Sequence, residues 1–141
     1  MPVQELTDDQ LDKQGEIKQA AVEALEGGDL HKALDKYTEA IKIGNVSAMM
    51  YAKRAEMLVK LKRPCACIAD CEAALEINPD SAKAYKLRGK AHRKLGHWEE
   101  AHKDITVAQK LDFDDDMCDV EAFVSKRWKK ISERQNRVRA R

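Results

Sequence analysis

The segment E-G-G-D-L-H-K-A-L-D-K-Y-T-E-A-I, Glu26 to Ile41, recurs from its Gly27 onward 34 residues later as L-K-R-P-C-A-C-I-A-D-C-E-A-A-L, Leu61 to Leu75. It returns again as L-G-H-W-E-E-A-H-K-D-I-T-V-A, Leu95 to Ala108. In this register Ala33, Cys67 and Ala101 coincide, as do Tyr37, Cys71 and Ile105, and Ala40, Ala74 and Ala108. The preceding half of each unit aligns Ala21 with Ala55 and Gly89, and Tyr51 with Tyr85. A period of this length marks a stack of similar supersecondary units, each unable to bury its apolar face alone. Such stacks present extended concave surfaces, so the pattern points to a binding scaffold and away from a catalytic cleft.

The composition agrees. The chain has 141 residues, 36% charged, 43% hydrophobic and only 5% aromatic. That balance suits one all-helical domain with a core of Ala, Leu and Ile. A net charge of +1 conceals an asymmetry. Asp112 to Glu121 holds six acids and no base, whereas Lys126 to Arg141 holds eight bases and one acid. No apolar run has membrane-spanning length and the N-terminus lacks a secretion pattern, so a cytosolic protein without a membrane partner is expected.

Working outward from the repeat, the breakers set the helices. Thr7 with Gln10 forms a capping-box pattern, predicting a first helix from near Asp8 to Glu26. Gly27-Gly28-Asp29 ends it. A second helix over about Leu30 to Ile43 carries Leu30, Ala33, Leu34, Tyr37, Ala40 and Ile41 on one face. The third spans about Ser47 to Leu61. The fourth runs from Pro64, well suited to a first helical turn, to Ile77. The fifth and sixth cover roughly Ser81 to Leu95 and Trp98 to Leu111. A seventh begins around Asp116, with Met117, Val120, Val124, Trp128 and Ile131 as an apolar stripe that can cap the stack. Beyond Ile131 the basic tail is expected to protrude as a charged helix or to fray. The organisation predicted is an N-terminal lead-in over 1–13, three repeats at 14–47, 48–81 and 82–115, and a capping helix with basic tail over 116–141.

Several residue groups invite a chemical reading and are assigned to packing instead. Cys67 and Cys71 share a helix face, but they stand where the other units carry Ala or Tyr and Ile, which marks them as buried apolar fillers. With no second ligand pair, no metal is expected, and no cofactor either. His92 is read as a small polar core residue, and His97 and His102 as surface. Trp98 and Trp128 are read as packing anchors. The basic tail lacks interleaved aromatics and a base-reading motif, so nucleic acid is not expected as a partner. No nucleophile–base pair or glycine-rich phosphate loop is present, and the chain is read as a non-enzyme.

Helix pairs of this period, with small residues at Ala21, Ala33 and Ala40, tyrosines at Tyr51 and Tyr85, and the closing Asn78-Pro79-Asp80, resemble tetratricopeptide repeats. The implied fold is an all-α superhelix of three helix-turn-helix repeats plus a C-terminal capping helix. Longer strings narrow the resemblance. Y-A-K-R-A at Tyr51, D-C-E-A-A-L-E-I-N-P-D-S-A at Asp70 and Y-K-L-R-G-K-A-H-R-K-L-G-H-W-E-E-A at Tyr85 are similar to the Hip family of co-chaperones. The resemblance implies binding to the nucleotide-binding (ATPase) domain of heat-shock protein 70 and stabilisation of its ADP-bound, client-holding state. It further implies that this chain is an excised module of a parent that dimerises through a segment absent here.

Other tetratricopeptide co-chaperones clamp acidic Glu-Glu-Val-Asp tails with five donors. By that resemblance the two Lys positions fall on Lys18 and Lys83, while Val22, Lys53 and Leu87 replace two Asn and the Arg. Two donors of five make a poor clamp, because the bidentate fork and the backbone donors are gone. What remains is a set of cations, Lys18, Lys53, Lys60, Lys83, Lys86, Lys90, Arg93 and Lys94, expected to line the concave face. Lys126, Arg127, Lys129 and Lys130 are expected to extend it. A basic groove of this kind attracts an acidic protein surface and speeds encounter with it. Tail binding, or binding of another acidic protein, stands as the alternative.

Overall fold

The structure, a computed structural model, describes residues 5–140; Met1 to Gln4 and Arg141, part of the expected lead-in and tail, lie outside the described residues. Among the described residues seven α-helices follow one another: α1 Asp8–Glu26, α2 Leu30–Ile43, α3 Ala48–Lys60, α4 Pro64–Ile77, α5 Ala82–Lys94, α6 Trp98–Leu111 and α7 Cys118–Arg139. They pair as α1 with α2, α3 with α4 and α5 with α6. α3 also touches α5 directly, and α7 packs on α6. No strand occurs among the described residues. The fold is the all-α repeat superhelix that the 34-residue period predicts.

Local chemistry sets the helix ends. Thr7 and Gln10 form the reciprocal capping box at 3.2 and 2.9 Å, satisfying orphan amides of α1. Asp29, Ser47 and Ser81 accept from the third amide of α2, α3 and α5. Pro64 opens α4, where a missing N–H costs nothing. After the first helix of each pair the chain reverses through a left-handed residue: Gly28 at φ 82°, Lys62 at φ 61° and Gly96 at φ 74°. Lysine at the middle position carries a strain that the two glycines avoid.

The small residues read from the repeat are the ones where helices cross. Ala21, Ala33, Ala40, Ala55, Cys67, Cys71, Ala74, Ala101, Ile105 and Ala108 are all buried. Gly89 shows why size matters there: a Cβ at this site would stand 2.7 Å from Ile105 Cγ1. The first and second pairs carry Ala21 and Ala55 at this crossing; in the third, the branched Ile105 side chain occupies the space a methyl group would need.

The capping helix departs from expectation in two ways. A 3-10 turn, Asp115–Met117, precedes α7, because the Asp114 side chain caps it by accepting from the Asp116 amide at 3.0 Å. The buried seam is also shorter than the predicted stripe. Met117 and Val124 join Ala101 and Ile105, with Trp98 and Val120 around them. Trp128, expected to bury against the third pair, is only half-buried, as is Ile131. The remainder of α7 continues as a charged helix to Arg139, so the tail is helical and does not fray.

Candidate functional site

On α3, Lys53, Glu56 and Lys60 recur at helical spacing, and on α5 Lys83, Lys86 and Lys90 do the same, so each set shares a face. Most of these side chains, with Val59, Ala82, Leu87 and Asp112, line a cavity of about 400 Å³ between the two helices. Leu87 is buried and supplies an apolar wall. The structure therefore brings Lys60, Lys83, Lys86 and Lys90 together as the sequence led us to expect. Lys18, Lys53, Lys94, Lys126 and Lys130 lie outside this lining.

The expected row of cations is corrected in one respect: acids stand among them, Glu56 from α3 itself and Asp114 from the loop before α7. Glu56 Oε2 lies 2.9 Å from Lys83 Nζ, and its Oε1 lies 3.8 Å from Lys60 Nζ. Lys86 Nζ donates to Asp114 Oδ2 at 2.5 Å, from the loop before α7. Partial burial pushes the Glu56 carboxyl up, but the Lys83 hydrogen bond and the charges of Lys83, Lys60 and Lys53 outweigh it and hold the group below its usual range. The Lys86 bond, then the Asp116 amide, lower Asp114 likewise. Both acids are carboxylates at neutral pH. Lys90, Lys53 and Lys18 form no ion pair among the described residues.

Arg93 and Arg127 each lie over an aromatic ring. The Arg93 guanidinium lies 5.1 Å over the Phe123 ring, and Arg127 lies 5.3 Å over Trp98. Trp98 and Phe123 meet edge-to-face at 5.9 Å. The two arginines thus fasten α7 onto the third pair through cation–π contacts. His102 is also half-buried rather than superficial, its Nδ1 3.3 Å from Ser125 Oγ on α7.

A further pair of polar ties escaped the sequence reading. Arg54 Nε and Nη2 each donate to Asp70 at 2.7 Å, and Arg88 does the same to Asp104 at 2.8 and 2.9 Å. Asp70 and Asp104 are buried, and each arginine also leans over the tyrosine three residues before it, Tyr51 or Tyr85. These bidentate forks join the two helices of a pair and leave no charge uncompensated. The signal was available: both members recur at the repeat period.

The cysteines behave as packing groups. Cys67 and Cys71 are wholly buried with their sulfurs 3.9 Å apart. The contact with Cys67, then burial, pushes the Cys71 thiol far above its usual range and keeps it neutral. Among the described residues no cluster of three or more His, Cys, Asp or Glu could hold a metal ion. No described helix is long and apolar enough to cross a membrane.

Comparison with known proteins points in one direction. Residues 71–103 match the family described as tetratricopeptide repeat. The chain is 39% identical over 127 residues to Hsc70-interacting protein 1 of Drosophila melanogaster, covering 90% of this chain and 34% of that protein. It is 46% identical over 131 residues to a 58 kDa phosphoprotein of Plasmodium berghei, covering 93% of this chain and 31% of the relative. The chain thus spans about a third of the length of the curated relatives it matches. Among solved structures, the Arabidopsis OM64 TPR domain superposes with a TM-score of 0.77 at 30% identity, over 83% of this chain and 98% of that one.

Proposed function

This chain is a tetratricopeptide-repeat domain homologous to the Hsc70-interacting proteins, and from that premise we propose that it binds the nucleotide-binding domain of heat-shock protein 70. It acts as a non-catalytic, cytoplasmic co-chaperone module. By preferring the ADP-bound state of that domain it shifts the population toward client holding, as any ligand with differential affinity must. A longer parent protein is expected to pair through a segment outside this chain.

The observation that supports this reading best is the groove between α3 and α5. It offers Lys90 unpaired, with Lys60, Lys83 and Lys86 close by, to an acidic surface. It lacks the donors that would suit it to a short acidic tail, because Val22 and the buried Leu87 occupy two of the required positions. Lys18 and Lys83 still match two clamp positions, which is what favours tail binding as the second reading.

Isothermal titration against the isolated ATPase domain, with ADP and then ATP, and against the peptide SRMEEVD decides between them. Binding to the ADP-loaded domain, weaker with ATP and absent with the peptide, is the expected result. Lys90→Glu, which disturbs no internal pair, should weaken domain binding about tenfold at low salt. Peptide binding without domain binding would establish the tail reading in its place.

A further inference from the structure

We propose that Glu56 sets the selectivity of the α3–α5 groove by occupying the ammonium group that a free acidic tail would have to reach. Four observations carry this. Glu56 is held by two lysines of the groove, Lys83 at 2.9 Å and Lys60 at 3.8 Å, and so acts as their resident counter-ion. Its carboxylate belongs to the cavity lining, beside Lys86 and Lys90. It is only about one-third exposed, at 30%, so its charge is felt inside the groove and is not dispersed into solvent. Lys60, Lys83 and Lys53 keep it ionised.

An extended acidic peptide laid along this groove meets Glu56 as a like charge at the point where it seeks Lys83. To bind, it must displace a carboxylate that is tethered to the facing helix, α3, and cannot diffuse away. Selectivity of this kind comes from a built-in repulsive element and not from an added attraction. A folded partner surface escapes the penalty, because it can set its acids against Lys90 and Lys86 and place a hydrogen-bond donor opposite Glu56. The groove therefore takes a rigid surface of mixed charge and rejects flexible polyanionic tails. The inference rests on the groove being the binding face, as in the proposed function, though not on which domain binds there.

The test is fluorescence anisotropy of labelled SRMEEVD against the wild type, Glu56→Gln, Glu56→Ser, Lys83→Met and Glu56→Gln with Lys83→Met. Glu99→Gln, on the outer surface of α6, removes the same charge elsewhere. Circular dichroism confirms that each variant is folded, and the serine variant serves should the glutamine one fail. The wild type is expected to show no detectable peptide binding, and removing Glu56 to bring binding into range by tightening it about tenfold or more, with the gain shrinking as salt is raised. The gain should vanish when Lys83 is also removed, and Glu99→Gln should not reproduce it. Equal affinities for the wild type and Glu56 variants would overturn the proposal. So would a gain that survives without Lys83 or appears equally in Glu99→Gln. Titrating the wild type against the ATPase domain in parallel separates failure of this inference from failure of the proposed function.

Discussion

The first helix pair and the two that follow hold the same crossing together by different means. In the second and third pairs a buried carboxylate, Asp70 or Asp104, takes a bidentate arginine from the partner helix. The first pair has Ala20 and Lys36 at the corresponding places. Its tie is instead neutral: the buried Gln14 amide donates to the carbonyls of Ala40 at 3.0 Å and Gly44 at 2.7 Å. The apolar small residues repeat faithfully while the polar fastening does not. Packing at the crossing is thus the constraint shared by all three pairs, while the polar tie varies in chemistry and in place, Gln14 aligning with Ala48 and Ala82 and not with Arg54 and Arg88.

The sharpest way to break this comparison is to strand an arginine. Asp104→Ala leaves the Arg88 guanidinium against a buried wall without its counter-ion, as Asp70→Ala does for Arg54. Each is expected to cost about 2–3 kcal/mol in urea unfolding, below the full buried-pair range because the arginines are partly hydrated. Gln14→Ala removes only neutral hydrogen bonds and should cost about 1–1.5 kcal/mol. If the glutamine variant loses as much as the aspartate variants, the charge of the later ties is irrelevant to stability.

A smaller effect lies in the reversals. Gly28 and Gly96 take the left-handed turn freely, whereas Lys62 holds φ 61° with a Cβ. Lys62→Gly should raise the unfolding free energy by about 0.5–1 kcal/mol, the left-handed penalty less the entropy glycine adds to the unfolded chain. Gly28→Lys and Gly96→Lys should lose a similar amount. A neutral Lys62→Gly would mean that the lysine side chain makes up the difference by contacts of its own.

The regular part of this architecture was legible because the period repeats three times. α1, α2, α4 and α6 have the predicted bounds, and α3 and α5 differ only in counting their cap residues. The start of α7 was less legible, since no repeat constrains it and the Asp114 cap inserts a 3-10 turn. The groove was half legible. Its lysines share a face within a helix, which sequence shows, but their counter-ions Glu56 and Asp114 reach Lys83 and Lys86 across 27 and 28 residues. Those contacts depend on how the helices cross. The aromatic contacts of Arg93 and Arg127 were illegible for the same reason: their partners belong to an interface that only the third dimension creates.

The third pair also carries a histidine where the second is apolar, and this gives the finest test. Where the second pair buries Leu58, the third has His92, half-buried with Nε2 3.9 Å from Asp104 Oδ2 and Nδ1 3.1 Å from His97 Nδ1. Burial lowers the His92 pKa, and the charges of His97 and Arg88 add to it; Asp104 and Glu100 oppose it without prevailing. Because the folded value lies below the unfolded value of about 6.5, the unfolded chain binds more protons in this region. Stability from His92 is then complete above pH 6.5 and declines as pH falls toward the folded pKa. His92→Leu, copying the second pair, should flatten that part of the stability–pH curve by less than about 1 kcal/mol while leaving the carboxylate-driven loss at lower pH in place. The readout is the urea midpoint of both proteins between pH 5 and 7.5. An unchanged slope would mean that His92 contributes no pH-dependent stability and would overturn this reading.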